Sequence, residues 1–278
     1  MGKVFAIGAL GGSGTRVIAQ ILREIGIDFG NVLNYPNDNL LFTTLFKNPK
    51  WYQKSSQSDI ERRLKIFHKY MIGDRLTLSD YKELLSSSLF NKTIGRDYRF
   101  YYKILFCKRS LLKNNAWGWK EPNSQLYINE INNFFQDIKY IHVLRNGLDM
   151  AFSDNKYQLK NWGFKYDIYL DESDDFKSIA IKQLDYWICS TKEVLKNSSN
   201  LKNRFYLLNY ADFCLDSDIE LERLIHFVGI DVSPNRIRYL RSLFKKQKSF
   251  NRYKKYDISI FRKDQIEFVR SVGFEVVV

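Results

Sequence analysis

The sequence predicts an α/β fold in which a parallel sheet is flanked by helices on both faces. Short apolar runs, typical of buried strands, alternate with longer stretches whose apolar residues recur at helical spacing. Strands that are separated by helices favour parallel pairing, because the helix carries the chain back to the same end of the sheet. No Pro-rich or Gly/Ser-rich linker interrupts the 278 residues, so we expect one domain over residues 1–278.

The first element is a strand, a glycine-rich loop and a helix within residues 3–30. The apolar run Val4 to Ile7 predicts the strand, and the loop Gly8 to Arg16 follows it. We expect Gly26 to be the C-cap of the helix. Its inward face is predicted from the apolar residues Val17, Ile18, Ile21, Leu22 and Ile25.

The glycine-rich loop predicts a P-loop-like anion site that lacks the lysine needed to bind a triphosphate. The triphosphate pattern G-x-x-x-x-G-K-[ST] requires a lysine, and Gly14 holds that position here. Backbone amides can still cradle a phosphate-like group. We therefore expect anion contacts from Gly11, Gly12, Ser13, Gly14 and Thr15. Ser13 and Thr15 are also suited to cap the helix, a role that is compatible with anion binding.

A second anion signature lies about 130 residues further on. Arg145 follows the apolar run Tyr140 to Leu144, which predicts a short buried strand, and Ser153 lies eight positions later, within the helix-like segment Leu148 to Phe152. A guanidinium at a strand end and a hydroxyl in the next helix can converge on one phosphate. Two separate anion sites predict a ligand with phosphate at two ends.

At these two motifs the sequence resembles the sulfotransferase family, whose donor is 3′-phosphoadenosine-5′-phosphosulfate (PAPS). The resemblance implies that the loop takes the 5′-phosphosulfate and that Arg145 and Ser153 take the 3′-phosphate. It continues in order along the chain, over roughly residues 3–20, 116–155 and 180–255. Ala116 to Pro122 is similar to the second strand of the family, which ends in a lysine segment near the sulfuryl group.

Two later segments also resemble the family. Residues 205–213 and 221–230 are similar to its "RYEDL … FLG" region, and this similarity implies that Tyr210 contacts the adenine. Residues 247–254 occupy the position of a basic loop over the 3′-phosphate, which implies contacts from Lys248 and Ser249. The chain departs from the family at two positions. Many members have a basic residue at the position of Gly12, and an arginine is common at the position of Asn209. The charge on the phosphosulfate is then expected from Lys120 and Arg16.

Lys120 and Glu121 are the candidate catalytic residues. The resemblance implies that Lys120 neutralises the bridging oxygen as the phosphate leaves. Glu121 is the nearest carboxylate and is a candidate for the base that takes the acceptor proton. A salt bridge or a charge at the start of the next helix is the alternative role for Glu121. His68 is a second candidate base, whereas His142 and His226 are predicted to be structural.

The composition predicts an anionic ligand more than a nucleic acid. The formal charge is +13 and the isoelectric point is about 9.4. Basic residues are mixed with acidic ones and no nucleic-acid motif is present, so a multiply charged donor, alone or together with an anionic glycan acceptor, accounts for the excess. A generally solvated basic surface is the alternative. Cys107, Cys189 and Cys214 form no CxxC pair, which argues against a disulfide framework or zinc site.

The segments between and after the motifs are expected to be helices, loops and strands. Residues 31–115 have no comparable order and are expected to be helices and loops of a variable, acceptor-side insertion or lid. Residues 116–155 predict a βαβ unit with a helix from Asn123 to Phe135. We expect an acidic turn or lid that binds no metal at Asp167 to Asp175. A long helix is predicted over residues 176–197, and a further strand over Phe205 to Leu208.

These observations together predict a PAPS-dependent sulfotransferase that transfers a sulfuryl group to a hydroxyl or amine, releases adenosine 3′,5′-bisphosphate (PAP) and requires no metal. The alternatives are a P-loop kinase or nucleotide-binding protein, and a non-catalytic nucleotide-binding module. No signal peptide and no apolar run of membrane-spanning length is seen, so a cytoplasmic location is expected. The acceptor and the oligomeric state stay open.

Overall fold

A four-stranded parallel sheet forms the centre of the fold. The structure is a computed structural model and describes residues 2–89, 102–104, 116–244 and 249–277. The strands are β1 (Lys3–Ala9), β2 (Ala116–Lys120), β3 (Lys139–Leu144) and β4 (Phe205–Asn209), in the order β2-β1-β3-β4. This sheet and its many helices confirm the predicted α/β class.

Helices occupy most of the chain between the strands. Between β1 and β3 the α-helices are α1 (Thr15–Glu24), α2 (Leu40–Phe46), α3 (Pro49–Lys54), α4 (Gln57–Ile72), α5 (Leu78–Leu89) and α6 (Ile128–Phe134). After β3 they are α7 (Gly147–Ala151), α8 (Tyr157–Trp162), α9 (Phe176–Ser198), α10 (Tyr210–Leu215), α11 (Ser217–Val228), α12 (Pro234–Leu243) and α13 (Lys263–Ser271). Short 3₁₀ helices cover Pro122–Tyr127, Gly163–Tyr166, Ser199–Arg204, Arg252–Lys255 and Ile258–Ile260.

The chain divides into two compact units. The first unit comprises Met1–Ala9, Thr15–His142 and Asn200–Tyr206. The second unit comprises Leu10–Gly14, Val143–Ser199 and Leu207–Val278. The single domain over 1–278 stays a prediction, and each unit is described below by itself.

An aromatic core stabilises the first unit around β2. Trp119 is fully buried, and its ring lies 5.4 Å from that of Phe42 and 5.1 Å from that of Phe67. Large rings bury 150–250 Å² each and prefer such offset or edge contacts. The close approach of β1 and β2 requires Gly118, because a Cβ there would lie 2.5 Å from the carbonyl oxygen of Phe5.

The second unit is organised along α9. The predicted helix over residues 176–197 is confirmed as Phe176–Ser198, and the carboxylate of Asp175 caps its start by accepting a hydrogen bond from Ser178 N. Trp187 projects from α9 into the buried core, where its ring lies 5.9 Å from that of Phe268. A Cβ at Gly147 would lie 2.5 Å from the ring of Trp187, so glycine permits the close packing of α7.

The helix predicted from Asn123 to Phe135 is two elements instead of one. A 3₁₀ helix covers Pro122–Tyr127, and α6 begins at Ile128. The break lies at Tyr127, whose backbone (φ −125°, ψ 24°) is not helical. Apolar periodicity alone did not reveal this break, because the side chains on both sides of it are buried.

The acidic segment Asp167 to Asp175 is a turn that is tied to α9. Lys182 Nζ donates to Asp174 Oδ1 at 2.7 Å and to Asp171 Oδ2 at 3.0 Å. Asp171 N in turn donates to Asp174 Oδ2 at 2.7 Å. Asp171 and Asp174 therefore have an ion-pair partner, Lys182, within their own unit.

The insertion between β1 and β2 is largely helical where the structure describes it. Helices α2 to α5 cover much of residues 40–89, in line with the expected helices and loops. Residues 90–101 and 105–115 of the expected acceptor-side region lie outside the described residues.

The buried His142 predicts an acid-sensitive fold. Desolvation lowers the pKa of His142 to about 3. Below pH 6.5 the unfolded chain therefore binds a proton that the folded chain takes up only near pH 3, and stability falls as the pH drops through this window. His142→Leu should flatten the dependence of unfolding free energy on pH, by up to about 1.4 kcal/mol per pH unit.

Urea unfolding of wild type and His142→Leu between pH 7 and pH 4 measures this difference. The matched control is His226→Leu, which changes an exposed histidine on α11. Parallel pH profiles of wild type and His142→Leu would contradict the prediction.

Candidate functional site

The glycine loop Leu10–Gly14 belongs to the second unit and has an unusual backbone. Ser13 N donates to Leu10 O at 3.2 Å, which closes a tight turn. Gly12 (φ 95°) and Gly14 (φ 90°) are in the left-handed region that favours glycine. A Cβ at Gly14 would also overlap the ring of Tyr210. The loop conformation therefore depends on glycine at both positions.

Tyr210 is buried beneath this loop. It begins α10, and its ring packs against Gly14 and lies 6.1 Å from the ring of Phe244. This packing supports the loop, which is the ordinary core role that a tyrosine can take. The contact with adenine stays a prediction. Asn209 occupies the position where an arginine is common in the family. It caps α10 by accepting a hydrogen bond from Ala211 N.

Gln158 lies beside the loop and was missed in the sequence analysis. A Cβ at Gly11 would lie 3.1 Å from Gln158 Nε2, so the amide lies close to the loop backbone. The residue is only 8% exposed, and its Oε1 has no hydrogen-bond partner among the described residues. A buried glutamine with an unused polar atom beside a glycine loop is suited to a polar ligand.

Thr15 and Arg16 begin α1 in the first unit. Thr15 is buried, in keeping with a position at the helix start. The guanidinium of Arg16 lies 4.9 Å from the ring centroid of the exposed Tyr35, a cation–π distance. The proposed contact of Arg16 with the phosphosulfate stays a prediction, and the structure adds Tyr35 as the group on which this side chain rests.

Arg145 occupies the centre of the second unit's polar cluster. Its Nη1 donates to Gly12 O at 2.9 Å, and its Nη2 donates to Ser249 O. The guanidinium is buried, and this burial lowers its pKa while the carboxylate of Asp149, 3.6 Å away, opposes the shift. Arg145 Nε has no hydrogen-bond partner among the described residues. The guanidinium thus binds two loop carbonyls through its Nη atoms, and its buried Nε donor is not used by any described residue.

Asp149 positions the segment that follows Ser249. The carboxylate is buried on α7 and accepts hydrogen bonds from Asn251 N at 2.9 Å and from Tyr253 N at 3.1 Å. Because the same carboxylate faces Arg145, it links the guanidinium to the backbone of this segment. Sequence analysis missed Asp149. Its position four residues after Arg145 was the available signal.

Ser153 was wrongly predicted to lie within the helix. Helix α7 ends at Ala151, and Ser153 lies two residues beyond it. Gln183 on α9 explains the early end, because its Nε2 donates to Ala151 O at 2.6 Å and to Ser153 O at 3.1 Å. The hydroxyl of Ser153 accepts a hydrogen bond from Asn155 N at 3.3 Å. Its contact with a 3′-phosphate stays a prediction.

The carboxyl end of β3 is fixed by Trp187. The indole Nε1 donates to Arg145 O at 3.1 Å, and the ring packs on Gly147. Arg145 is therefore held at its backbone by α9 and at its side chain by two loops. Ser249 is in the described part of the basic loop, where its carbonyl contacts Arg145; Lys248 lies outside the described residues.

Lys120 ends β2 in the first unit and is buried in an ion pair. Its Nζ lies 2.5 Å from Asp38 Oδ1 and donates a second hydrogen bond to Pro36 O at 3.3 Å. Its register partner on β1 is Ile7. A lysine is rarely buried unless it is paired, and Asp38 supplies the partner. The sequence analysis did not anticipate Asp38, which lies 82 positions away.

The contacts of Glu121 match the alternative role, a charge at the start of the next helix, and its role as the base stays a prediction. It caps the 3₁₀ helix, with Oε2 accepting from Asn123 N at 2.6 Å and Oε1 from Asn123 Nδ2 at 3.1 Å. Lys47 Nζ lies 3.6 Å from Oε1. Burial raises the pKa of this carboxyl, although Lys47 counteracts the shift. Both oxygens are therefore engaged within a nearly inaccessible pocket of the first unit.

His68 and His142 are packed against other side chains, whereas His226 is exposed on α11. His68, the second candidate base, stacks on Trp117 with ring centroids 5.8 Å apart, and burial lowers its pKa. His142 is buried in β3, as predicted. In the described part of the chain no group of three or more His, Cys, Asp or Glu side chains is placed to hold a metal ion. No helix among the described residues is long and apolar enough to cross a membrane.

The parallel sheet and the glycine loop define a protein of the P-loop-like α/β class. Residues 5–234 match the model described as the sulfotransferase family. This match covers most of the chain, and the protein therefore belongs to the sulfotransferase family. No curated protein matches the sequence.

Solved sulfotransferase structures are similar to this chain in fold. The sulfotransferase STF9 from Mycobacterium avium has a TM-score of 0.50 at 12% identity, and the match covers 99% of this chain and 77% of that one. The sulfotransferase domain of the Synechococcus PCC 7002 olefin synthase has a TM-score of 0.48 at 13% identity, covering 99% and 95%. The sulfotransferase STF1 from Mycobacterium tuberculosis has a TM-score of 0.44 at 12% identity, covering 87% and 71%.

The position of Asp149 predicts a local defect when its charge is removed. Asp149→Asn leaves a single carbonyl oxygen for two backbone amides and removes the charge that faces Arg145. We expect destabilisation of about 1–3 kcal/mol, together with faster hydrogen exchange at the amides of Asn251 and Tyr253. Exchange measured by mass spectrometry on peptides that span 249–256 tests this.

Asp257→Asn is the matched control, since Asp257 caps the exposed 3₁₀ helix Ile258–Ile260 and asparagine can replace it as a cap. It should change the exchange at Asn251 and Tyr253 little. Unaltered exchange in Asp149→Asn would mean that the segment is held by other contacts.

Proposed function

We propose that this member of the sulfotransferase family transfers a sulfuryl group from PAPS to an acceptor hydroxyl or amine and releases PAP. The observation that carries the proposal is the buried guanidinium of Arg145 bound to the glycine loop at Gly12, with its Nε left without a partner among the described residues. An unused buried donor beside a glycine loop suits a phosphate, which accepts charge-assisted hydrogen bonds from arginine.

The residues of the second unit fit a nucleotide that carries two phosphate groups. The loop offers the backbone at Gly11, Gly12 and Gly14, which have no Cβ atom, and φ is positive at Gly12 and Gly14. Arg145 would hold the 3′-phosphate, with Ser153 and Ser249 as neighbouring donors. Tyr210 and Asp149 would act indirectly, the first by supporting Gly14 and the second by fixing Asn251 and Tyr253.

In the first unit, Lys120 would supply the positive charge for the reaction. PAPS, when bound, provides an activated sulfuryl group on a good leaving phosphate. Lys120 would place an ammonium against the oxygen on which negative charge develops, and such a preorganised charge favours the transition state over the ground state. Arg16 is the second cation of the first unit that we assign to the donor.

The proposed acceptor is a glycan or small molecule that carries negative charge. Basic residues outnumber acidic ones about two to one in residues 31–115, the expected acceptor-side region. A basic surface raises the local concentration of an anionic acceptor and speeds its encounter. The chemistry of transfer requires only a hydroxyl or amine on that acceptor.

A P-loop kinase is disfavoured by the loop. The lysine of the triphosphate pattern would have to replace Gly14, where φ is 90° and a side chain would overlap Tyr210. A non-catalytic nucleotide-binding module needs no buried cation at the end of β2, yet Lys120 is retained there at the cost of desolvation.

Donor binding is predicted to depend on Arg145. Arg145→Ala removes a charge-assisted phosphate contact and should weaken PAP binding about ten- to a hundredfold, equivalent to roughly 1.5–3 kcal/mol. Calorimetric titration measures the affinity. Arg262→Ala, which removes an equal charge from an exposed ion pair of the same unit, should bind PAP as wild type does.

Thermal melts with PAP, ADP and ATP complete this test. PAP should raise the melting temperature of wild type far more than the other two, because only PAP carries a 3′-phosphate. Equal stabilisation by ATP with Mg²⁺ would favour the kinase alternative instead.

Lys120→Ala is predicted to separate binding from chemistry. Because the ammonium acts mainly in the transition state, turnover should fall about 10²- to 10³-fold while PAP affinity changes less than about threefold. Single-turnover transfer from labelled PAPS, with an acceptor found by screening glycans, alcohols and amines, measures the rate. A near-normal rate would contradict the role of Lys120.

A further inference from the structure

The loop between Asn34 and Asp38 in the first unit is closed by its own hydrogen bonds. Asn34 N donates to Asp38 O at 3.2 Å, and Asp38 N donates to Asn34 Oδ1 at 2.7 Å. Asn34 Nδ2 also donates to Asp38 Oδ2 at 2.9 Å. Asn37, at the turn, has a φ of 66°, and Arg23 Nη1 donates to its Oδ1 at 2.7 Å. Such a network holds the Asp38 carboxylate in one orientation.

The next residue attaches this loop to β2. Asn39 N donates to Lys120 O at 2.8 Å, so the backbone beside Asp38 is bonded to the backbone of the candidate catalytic lysine. The side chain of Asn39 is buried, accepts from Phe42 N to cap α2 and donates to Phe29 O. Asp38 is therefore fixed beside Lys120 by main-chain contacts as well as by its ion pair.

Two carboxylates lie next to Lys120 in space or in sequence, and they differ in accessibility. The side chain of Asp38 is 17% exposed, whereas that of Glu121 is 1% exposed. Both oxygens of Glu121 are bound by Asn123, and Lys47 lies beside it. Asp38 binds Asn34 through one oxygen and Lys120 through the other. A base must reach the acceptor proton, and Asp38 is the more accessible of the two.

We infer that Asp38 is the general base of the transfer, an inference that rests on the proposed function. Lys120 and Asp38 form an ion pair before the donor is engaged. When Lys120 turns to the charge that develops on the donor, Asp38 Oδ1 loses its partner and becomes the proton acceptor. One pair of side chains thus supplies both the cation and the base.

The step balances in protons and electrons. The acceptor oxygen or nitrogen uses its lone pair to form a bond to sulfur, and its proton passes to a carboxylate oxygen of Asp38. The bond between sulfur and the bridging phosphate oxygen breaks, and its electron pair leaves with PAP. No oxidant, reductant or metal takes part. The proton on Asp38 returns to solvent after product release.

The test compares three variants that remove one carboxylate each. Asp38→Asn retains size and polarity but has no basic oxygen, and we expect turnover to fall about 10²- to 10³-fold. Asp80→Asn is the matched control, because Asp80 pairs with Lys69 at 2.9 Å, bonds its own turn at Thr77 and is similarly buried. Glu121→Gln removes the other candidate. Asp80→Asn is expected to retain turnover within about tenfold of wild type, and Glu121→Gln is expected to lose less turnover than Asp38→Asn.

Nucleotide affinity provides a readout that does not depend on turnover. If Asp38 is the base, Asp38→Asn binds PAP within about threefold of wild type by calorimetry. If Asp38 only positions Lys120, PAP affinity also stays within about threefold, as in Lys120→Ala, but formate restores no turnover to Asp38→Ala, and the inference is overturned. Sodium formate should restore part of the turnover of Asp38→Ala, since a small carboxylate can take the proton in its place, but should not restore that of Lys120→Ala.

The outcomes separate the two proposals. Wild type that binds no PAP would remove the proposed function, and the inference with it. Wild type that binds PAP and transfers sulfuryl, while Asp38→Asn turns over at the normal rate, would overturn the inference alone. A large loss in Glu121→Gln but not in Asp38→Asn would assign the base to Glu121 instead.

Discussion

The buried guanidinium of Arg145 is the interaction on which the second unit depends. A charge that is removed from water must be compensated by hydrogen bonds and an opposite charge. The carbonyls of Gly12 and Ser249 and the carboxylate of Asp149 supply this compensation. The glycine loop and the segment after Ser249 are therefore drawn to one side chain, although they lie 133 and 104 positions from it in the chain.

The first unit uses the same principle with a lysine. Lys120 is buried at the end of β2, and Asp38 and the Pro36 carbonyl compensate its charge. The main-chain bond from Asn39 to Lys120 O fixes the geometry of the pair, so that it does not rely on flexible side chains alone. In each unit a buried cation thus determines how a neighbouring loop is held.

Local sequence signals predicted the parts of the fold that are contiguous in the chain. The strands β1 to β4, the long helix α9 and the C-cap at Gly26 followed from apolar periodicity and from glycine. Asp38, Gln158 and Gln183 could not be found in this way, because their partners are distant in sequence and no pattern marks them. The error at Ser153 has the same cause, since the contact from Gln183 that accompanies the end of α7 comes from 30 positions away.

A buried ion pair seldom adds net stability, since the desolvation of both charges offsets their attraction. Retaining Lys120 and Asp38 as a pair is therefore better explained by what each does when the pair separates than by the stability of the fold. An approaching anion competes with Asp38 for the ammonium, and any success in that competition leaves Asp38 Oδ1 without its partner. The arrival of the donor would then direct the Lys120 ammonium to the developing charge and free Asp38 Oδ1 to accept the proton. No further residue is required to link these two events.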